Sequence, residues 1–223
     1  MYLDAGNNRS YPGSGTSWTD LSRNGITGTL TNGPTFNSAN GGSIVFDGTN
    51  DYGYVNKTFS SYTNFTVCFW IKINTTSNHQ GIFSIKNSAD IQDYMNGNFA
   101  IHTISGGYFG MEAQNLYAGN TSTNNTVINN LASYCCVVCN QSGNLVTYYL
   151  NGMPDGTQTI TSTFTFSDHN LLFLGCRQYS TTGVTNPQNV INATIYSYQF
   201  YNRALSASEI RQNYHATKGR FGL

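Results

Sequence analysis

The stretch Leu145-Val-Thr-Tyr-Tyr-Leu-Asn-Gly152 has the side-chain alternation of a β-strand over its first six residues and ends in an Asn-Gly pair. Asn-Gly supplies the two positive φ angles of a type I′ turn, whose twist matches a two-residue β-hairpin. We therefore predict a tight hairpin at Asn151 and Gly152. A tight hairpin joins two antiparallel strands, so this stretch indicates an antiparallel β-sheet.

Short apolar runs separated by Gly and Asn turn signals recur on both sides of this hairpin. They are rich in β-branched and aromatic residues, as strands are, and no strand–helix–strand alternation accompanies them. The runs cover residues 43–46, 52–55, 65–73, 81–85, 99–104, 108–113, 133–139, 145–150, 164–166, 171–174 and 191–201. Many short strands of this kind predict an all-β antiparallel sandwich or jelly roll.

The length of the chain favours one domain. An all-β domain of 223 residues is within the usual range, so we predict a single domain over residues 1–223. Residues 1–43 are rich in Gly, Asn, Ser and Thr, with Asn-Gly pairs at 24 and 32. We interpret them as the loop-rich part of the same domain, with short edge strands.

One helix is expected near the C-terminus. Ser206 and Glu209 have the spacing of a capping box, and Leu205 and Ile210 occupy the two positions of a hydrophobic staple. These signals predict a short helix over residues 207–214, closing the sandwich at its end.

The composition excludes several function classes. Charged residues make up 9% of the chain, against roughly 25% in an average globular protein, and ten Lys and Arg balance ten Asp and Glu. A nucleic-acid binder would carry a basic stripe, so we predict no nucleic-acid partner. With 39% hydrophobic residues the chain can bury a core. A neutral surface of Asn, Thr, Ser and Gly suits a secreted protein or a virion protein.

No segment predicts contact with a membrane. No window approaches the roughly 18 consecutive apolar residues of a membrane span. The first residues lack the charged region and apolar stretch of a Sec signal. Two explanations stay open: the protein is used without export, as virion proteins are, or the leader is missing from the sequence.

The five cysteines do not form a metal motif. Cys136 and Cys139 form a C-x-x-C, but strand alternation would send their side chains to opposite faces of a sheet. No second C-x-x-C follows, so a zinc site of this type is disfavoured. We interpret the cysteines as small hydrophobic residues of a reducing compartment.

Six segments in order resemble a known family. The chain is similar to laminin-G-like, concanavalin A-like jelly-roll domains over nearly its whole length. The segments are Trp18-Thr-Asp-Leu-Ser22 with Asn24-Gly25, Ser43-Ile-Val-Phe-Asp-Gly-Thr-Asn-Asp-Tyr52, Phe65-Thr-Val-Cys-Phe-Trp-Ile-Lys-Ile73, Tyr148-Tyr-Leu-Asn-Gly152, Leu172-Phe-Leu-Gly175 and Phe200-Tyr-Asn-Arg-Ala-Leu-Ser-Ala-Ser-Glu-Ile210.

Three further segments resemble the versions of this domain found in phage and other viral structural proteins. They are Tyr2-Leu-Asp-Ala-Gly6, Ser10-Tyr-Pro-Gly-Ser-Gly-Thr16 and Ala216-Thr-Lys-Gly-Arg-Phe-Gly222. This resemblance implies a virion surface protein, such as a capsid decoration, fibre or tail component.

The family resemblance also implies a structural calcium. Relatives hold it with the Asp of the Phe-Asp-Gly segment, which is Asp47 here, and with an acidic residue before the Tyr-Asn-Arg-Ala-Leu segment. Tyr196 occupies that second position in this chain. Loss of a carboxylate weakens a calcium site, although Asp47 and Asp51 retain two. The alternative interpretation is that Asp47 and Asp51 are turn residues between two strands.

Catalysis is disfavoured. A glycoside hydrolase of this fold needs two carboxylates beside the scissile bond. The chain has only two glutamates: Glu209 belongs to the helix cap, and Glu112 has no acidic neighbour at strand spacing. Asp90 and Asp93 are three apart in a loop. None of the four histidines stands beside a nucleophile motif. We therefore predict that the protein is not an enzyme.

Sugar recognition needs aromatic faces for stacking and amide side chains for hydroxyl groups, and the chain is rich in both. With 16 tyrosines, chance alone also places several rings at loops. The candidate residues in predicted loops are Tyr94, Asn96, Tyr108, Asn115, Tyr117 and Tyr179.

The resulting prediction is a non-catalytic virion surface protein that binds other virion proteins and host surface glycans. A secreted or cell-surface carbohydrate-binding adhesin is the alternative, and a glycoside hydrolase is the least favoured interpretation. The neutral surface carries no net charge that would oppose self-association, so a homo-oligomer is compatible with it.

Overall fold

The computed structural model describes residues 1–59, 62–75, 79–86, 99–104, 106–113, 127, 130–160, 166, 169–177 and 188–223. The strands are β1 (Tyr2–Asp4), β2 (Ser17–Thr19), β3 (Thr27–Thr31), β4 (Thr35–Asn37), β5 (Ser43–Asp47), β6 (Tyr52–Asn56), β7 (Asn64–Ile73), β8 (Gly81–Lys86), β9 (Phe99–Ile104), β10 (Tyr108–Ala113), β11 (Ser133–Asn140), β12 (Leu145–Leu150), β13 (Met153–Thr159), β14 (Leu171–Leu174) and β15 (Asn192–Tyr201). The α-helix α1 covers Ala207–Thr217, and 3-10 helices cover Ala39–Gly41, Gln141–Gly143 and Lys218–Phe221.

These strands form two antiparallel sheets. The eight-stranded sheet has the order β13-β12-β11-β7-β15-β5-β4, with β1 also paired to β15. The seven-stranded sheet has the order β10-β9-β8-β14-β6-β3-β2. The predicted all-β sandwich of the jelly-roll type is therefore confirmed.

The core lies between the two sheets, and strand alternation decides which residues enter it. In β7, Phe65, Val67 and Phe69 are buried in this core, whereas Cys68 and Trp70 face the other side of the sheet. Burying an aromatic or aliphatic side chain contributes about 1.5–3 kcal/mol, so the long apolar strands supply most of the driving force.

The predicted hairpin is confirmed. Asn151 and Gly152 have φ angles of 50° and 81°, and β12 pairs with β13 directly after them. The apolar runs did not predict β13, because Pro154 and its polar neighbours hide a strand. Proline is tolerated there because β13 is an edge strand of the eight-stranded sheet. Of the predicted run 164–166, only Phe166 is among the described residues, and it packs in the core outside a strand.

The predicted capping box at the start of α1 is also confirmed. The helix does not, however, close the end of the sandwich as predicted. The Ser206 side chain accepts from the Glu209 backbone, and the helix continues to Thr217. Instead of closing one end, the C-terminal segment covers the outer face of the eight-stranded sheet. Trp70 there stacks on Phe221 with ring centroids 4.1 Å apart and donates to Thr217 Oγ1. Without the C-terminal segment, the aromatic residues of that face would form a large exposed apolar patch. This explains why the helix packs there and not at the end of the sandwich.

No helix among the described residues is long and apolar enough to cross a membrane.

Residues 1–43 form short strands, as predicted, but not only at edges. β2 and β4 are edge strands, while β3 lies between β2 and β6 and β1 pairs with β15. In β3 the side chains alternate between the two faces of the sheet: Leu30 is buried in the core, and the threonines lie outside it.

The interpretation of the cysteines as small hydrophobic residues of a reducing compartment is wrong for two of them. Cys68 on β7 and Cys136 on β11 are register partners and form a disulfide. Cys135, Cys139 and Cys176 are free and buried. Cys136 and Cys139 do lie on opposite faces of the sheet, as alternation predicts.

Candidate functional site

Most of the predicted sugar-binding residues lie outside the described residues. These are Tyr94, Asn96, Asn115, Tyr117 and Tyr179. The described candidate is Tyr108, which begins β10 and is half-buried. Phe109 and Met111 on this strand enter the core, so Tyr108 and Glu112 share the outer face of the seven-stranded sheet.

A buried polar cluster lies on that outer face. His102 on β9 and Glu112 on β10 are diagonal neighbours, because His102 pairs with Gly110 and Glu112 with Ala100. His102 Nε2 is 3.1 Å from Glu112 Oε1, and Arg177 Nη2 is 2.8 Å from Glu112 Oε2. His102 and Glu112 are 1% and 4% exposed. Their distance from water makes these contacts strong.

Glycine at position 81 allows Arg177 to reach this cluster. Gly81 is the β8 partner of His102, and a Cβ there would collide with the backbone of Cys176 and Arg177. The chain at Arg177 therefore crosses directly over β8. Burial opposes ionisation of Glu112, but the His102 contact and the Arg177 charge outweigh it and hold the pKa of Glu112 below its usual value.

His79 completes the cluster at its solvent side. Its ring centroid is 5.1 Å from that of His102, and the metal-binding atoms of His79, His102 and Glu112 all lie within 4.8 Å of one another. We call these three residues the His-Glu cluster. Burial, followed by the nearby His102, lowers the pKa of His79.

Glu112, for which the sequence indicates no acidic neighbour at strand spacing, has a histidine and an arginine as its partners. Its partners come from a neighbouring strand and from a segment 65 residues further along the chain. Spacing along a single strand does not reveal these contacts, because they depend on pairing between strands. The signal present in the sequence was weaker: alternation places Tyr108 and Glu112 on one face.

The best candidate for a ligand site is an open cavity of about 440 Å³, here called the tyrosine pocket. This volume is within the usual range for small-molecule sites. Three tyrosines and several amide, hydroxyl and amine side chains line it. The lining residues are Met1, Tyr2, Leu21, Ser22, Asn24, Lys57, Tyr62, Gln199, Phe200, Tyr201 and Asn202. None of them was among the predicted sugar-binding residues.

The buried Asp20 carboxylate shapes one wall of the tyrosine pocket. It accepts from the backbone of Tyr2 at 2.6 Å and from the backbone of Ser22 at 2.8 Å. It also accepts from the Ser22 hydroxyl, whose oxygen accepts from the Asn24 amide. Asp20 thus fixes a polar loop against the start of β1, and Asn24 is exposed at its rim.

Another part of the lining is aromatic. Tyr62 packs on Phe200 with ring centroids 5.5 Å apart, and Tyr201 and Asn202 continue the wall beyond them. Burial, followed by the Asp4 charge, raises the pKa of Tyr2, and burial also raises that of Tyr201. Both hydroxyls therefore keep their protons at neutral pH and can take part in hydrogen bonds with a ligand.

A second cavity of about 300 Å³ lies beside the C-terminal helix. Leu131, Leu150, Phe221 and Leu223 give it a largely apolar lining. It offers fewer polar groups to a hydroxylated ligand than the tyrosine pocket does.

The predicted calcium residues lie in the turn between β5 and β6. Asp47 accepts from the Thr49 backbone at 2.7 Å, and Asp51 accepts from the Asp47 backbone at 3.2 Å. The Thr49 hydrogen bond holds the pKa of Asp47 below its usual value, and burial raises the pKa of Asp51. Calcium takes six to eight oxygens, and both carboxylates already serve the turn. Calcium binding here stays a prediction.

Tyr196 lies away from this turn. Asn192, not Tyr196, is the β15 residue in register with Asp47. Tyr196 is buried on the outer face of the eight-stranded sheet, where its ring contacts Phe221 at a centroid distance of 4.8 Å.

Comparison with known proteins bears on the fold and the family. The family model of the concanavalin A-like lectin/glucanases superfamily (Laminin_G_3) matches residues 47–211. The chain belongs to this superfamily. No curated protein matches this chain in sequence.

Solved structures share the fold of this superfamily member at low identity. Domain 4 of AbnA, an extracellular GH43 arabinanase from Geobacillus stearothermophilus, has a TM-score of 0.67 at 14% identity, with 95% of each chain covered. Trypanosoma rangeli sialidase has a TM-score of 0.65 at 14% identity, over 98% of this chain and 33% of the sialidase. The botulinum neurotoxin serotype D binding domain has a TM-score of 0.64 at 16% identity, over 97% and 51%.

Proposed function

We propose that this domain is a non-catalytic carbohydrate-binding protein and that the tyrosine pocket holds the glycan. The observation that carries this proposal is the combination of aromatic and amide side chains around one open cavity of about 440 Å³. The fold is that of the lectin/glucanase superfamily, which supports the same ligand class.

The chemistry of the lining suits a neutral sugar. The faces of Tyr62 and Tyr201 can stack on the C–H face of a pyranose or furanose ring. Asn24, Gln199 and Asn202 carry donors and acceptors for sugar hydroxyl groups. Lys57 supplies the one cationic side chain among the lining residues, which would also accommodate a carboxylate-bearing sugar.

The similar structures agree with this ligand class. The arabinanase domain was solved in complex with arabinotriose, and the sialidase in complex with sialic acid. These sugars belong to those proteins, and they serve here as the first probes for this chain.

The contacts of the two glutamates support a binding role without catalysis. Glu209 is held by Arg203 at 2.6 Å and by the helix cap. Glu112 is buried between His102 and Arg177, where a general acid would lack access to substrate.

We further propose that the protein lies on a virion surface and takes part in host adhesion. The support for this location is the resemblance of residues 2–6, 10–16 and 216–222 to viral structural proteins. A secreted or cell-surface adhesin with the same pocket is the alternative. Other virion proteins and copies of the chain itself are the further partners of the virion proposal.

The experiment is binding of the purified protein to a broad glycan array that includes arabinotriose and sialic acid, with calcium and with chelator. We expect specific binding that survives chelation, because the tyrosine pocket needs no metal ion. Absence of binding under both conditions would overturn the carbohydrate proposal. Binding that is lost on chelation and restored by calcium would move the site to Asp47 and Asp51.

A further inference from the structure

We propose that the His-Glu cluster is a binding site for a divalent transition metal ion, with Zn²⁺ as the preferred ion. The ligands are His79, His102 and Glu112, whose donor atoms lie within 4.8 Å of one another. This inference does not rest on carbohydrate binding, because the His-Glu cluster and the tyrosine pocket share no residue.

The hydrogen bond of His102 fixes which of its nitrogens faces the metal position. Nδ1 is 3.0 Å from the carbonyl oxygen of Thr103, which can only accept, so Nδ1 donates its proton there. In the neutral ring, Nε2 then carries the lone pair that faces Glu112. A backbone carbonyl that orients a ligating histidine in this way is the usual outer contact of a metal site.

The atoms of His102 and Glu112 that would hold the ion already lie close to each other. Nε2 and Oε1 are 3.1 Å apart. A metal ion between Nε2 and Oε1 would bind both atoms at once. Zinc binds these atom types at about 2.0–2.2 Å, so tetrahedral neighbours lie about 3.4 Å apart. The observed distance is close to that value.

The third ligand is positioned by the same carbonyl group. The His79 backbone donates to the Thr103 oxygen at 2.8 Å, so one carbonyl orients both histidines. His79 has a φ of 59°, a left-handed conformation that is uncommon outside glycine. It lies at the partly exposed side of the cluster, with its ligand atom within 4.8 Å of those of His102 and Glu112.

Arg177 does not compete for the same oxygen. Its guanidinium contacts Oε2 of Glu112, which leaves Oε1 directed towards His102. Hydrogen-bonded carboxylates of this kind are common around metal ions. Two imidazoles and one carboxylate favour zinc over calcium or magnesium, which prefer oxygen ligands. Three protein ligands leave one tetrahedral position for water.

The test uses the full chain, stripped with EDTA and dialysed. Zn²⁺ is titrated against a chromophoric zinc chelator, and Co²⁺ is added separately to record its visible absorption. We expect one equivalent of Zn²⁺ per chain and the absorption of tetrahedral Co²⁺ without a thiolate band. No competition with the chelator at equimolar protein would overturn the proposal.

The main variant is His79→Asn, because asparagine tolerates the left-handed conformation and the position is partly exposed. We expect it to weaken zinc binding at least about tenfold. Glu112→Gln keeps the shape of the side chain and should weaken binding similarly. The matched control is His215→Asn on the exposed side of α1, which should leave affinity unchanged. Unchanged affinity in His79→Asn and Glu112→Gln, or equal loss in His215→Asn, would contradict the assignment.

Discussion

Arg220 and Asp4 form an ion pair with an N–O distance of 2.8 Å across 216 residues of sequence. The Arg220 guanidinium also donates to the backbone carbonyls of Asn40 and Gly42. One side chain thus joins the C-terminal segment to two parts of the N-terminal region. The planar fork of arginine can satisfy such divergent acceptors, whereas lysine presents a single point charge.

Replacement of Arg220 by alanine should lower the stability of the whole domain. Hydrogen bonds to charged groups are worth roughly 1.5–3 kcal/mol, so we expect a loss of about 2 kcal/mol in the free energy of unfolding. Urea denaturation measures it. Arg23→Ala, at an exposed position, is the matched control and should change the midpoint little. Equal midpoints for Arg220→Ala and the native protein would refute this role.

The disulfide predicts the number of reactive thiols. In protein unfolded without reductant, alkylation should label Cys135, Cys139 and Cys176 but neither Cys68 nor Cys136. In folded protein the three free thiols should not react, because they are buried and burial raises their pKa, to about 12 for Cys139. Mass spectrometry counts the labels. Five labels in the unfolded, unreduced protein would show that the disulfide is absent.

The helix cap predicts an acid-dependent loss of stability. Hydrogen bonds from Arg203 and then from the Ser206 backbone lower the pKa of Glu209 from 4.5 to about 2. A carboxylate whose pKa is lower in the folded state stabilises it above pH 4.5, and this contribution is lost as the pH falls to about 2. The native protein should therefore melt above Glu209→Gln at pH 7, and the two melting temperatures should converge near pH 2. A constant difference over this range would argue against the Glu209 carboxylate, with its contacts to Arg203 and the cap, as its source.

Calcium binding at the turn between β5 and β6 has a separate test. The family resemblance predicts that millimolar calcium raises the melting temperature over that in chelator, since an ion that binds only the folded state stabilises it. Asp47→Asn should abolish the rise. Magnesium is the control ion, because its stricter octahedral geometry suits this turn poorly. Equal melting temperatures in calcium and chelator would leave Asp47 and Asp51 as turn residues only.

Local sequence signals predicted the local structure well. Asn151-Gly152 fixed a hairpin because two positive φ angles leave few alternatives, and Ser206 with Glu209 fixed the start of a helix. The alternation in β11 predicted that Cys136 and Cys139 lie on opposite faces of the sheet. These signals act within a few residues, so no knowledge of strand pairing was needed.

Features that depend on pairing between distant strands could not be predicted from the sequence. The disulfide of Cys68 and Cys136 exists because β7 and β11 are neighbours in a particular register. Glu112 gained His102 and Arg177 in the same way. The tyrosine pocket combines Tyr2, Tyr62 and Tyr201, which come from three separate parts of the chain. Residue type and predicted loop position indicate candidate tyrosines, but they carry no information on which residues lie close together in the folded chain.

The most direct test of the central claim measures glycan binding by the native protein and by variants of the tyrosine pocket. The probe is the glycan with the highest signal on the array. Asn24 and Asn202 are exposed at the rim, so their combined replacement by alanine should spare the fold. Loss of two hydrogen bonds of about 1 kcal/mol each predicts affinity reduced at least about tenfold. The controls Asn8→Ala and Tyr108→Ala should bind like the native protein. Full affinity in the Asn24/Asn202 variant, with binding lost in Tyr108→Ala, would contradict the account and place the glycan on the outer face of the seven-stranded sheet.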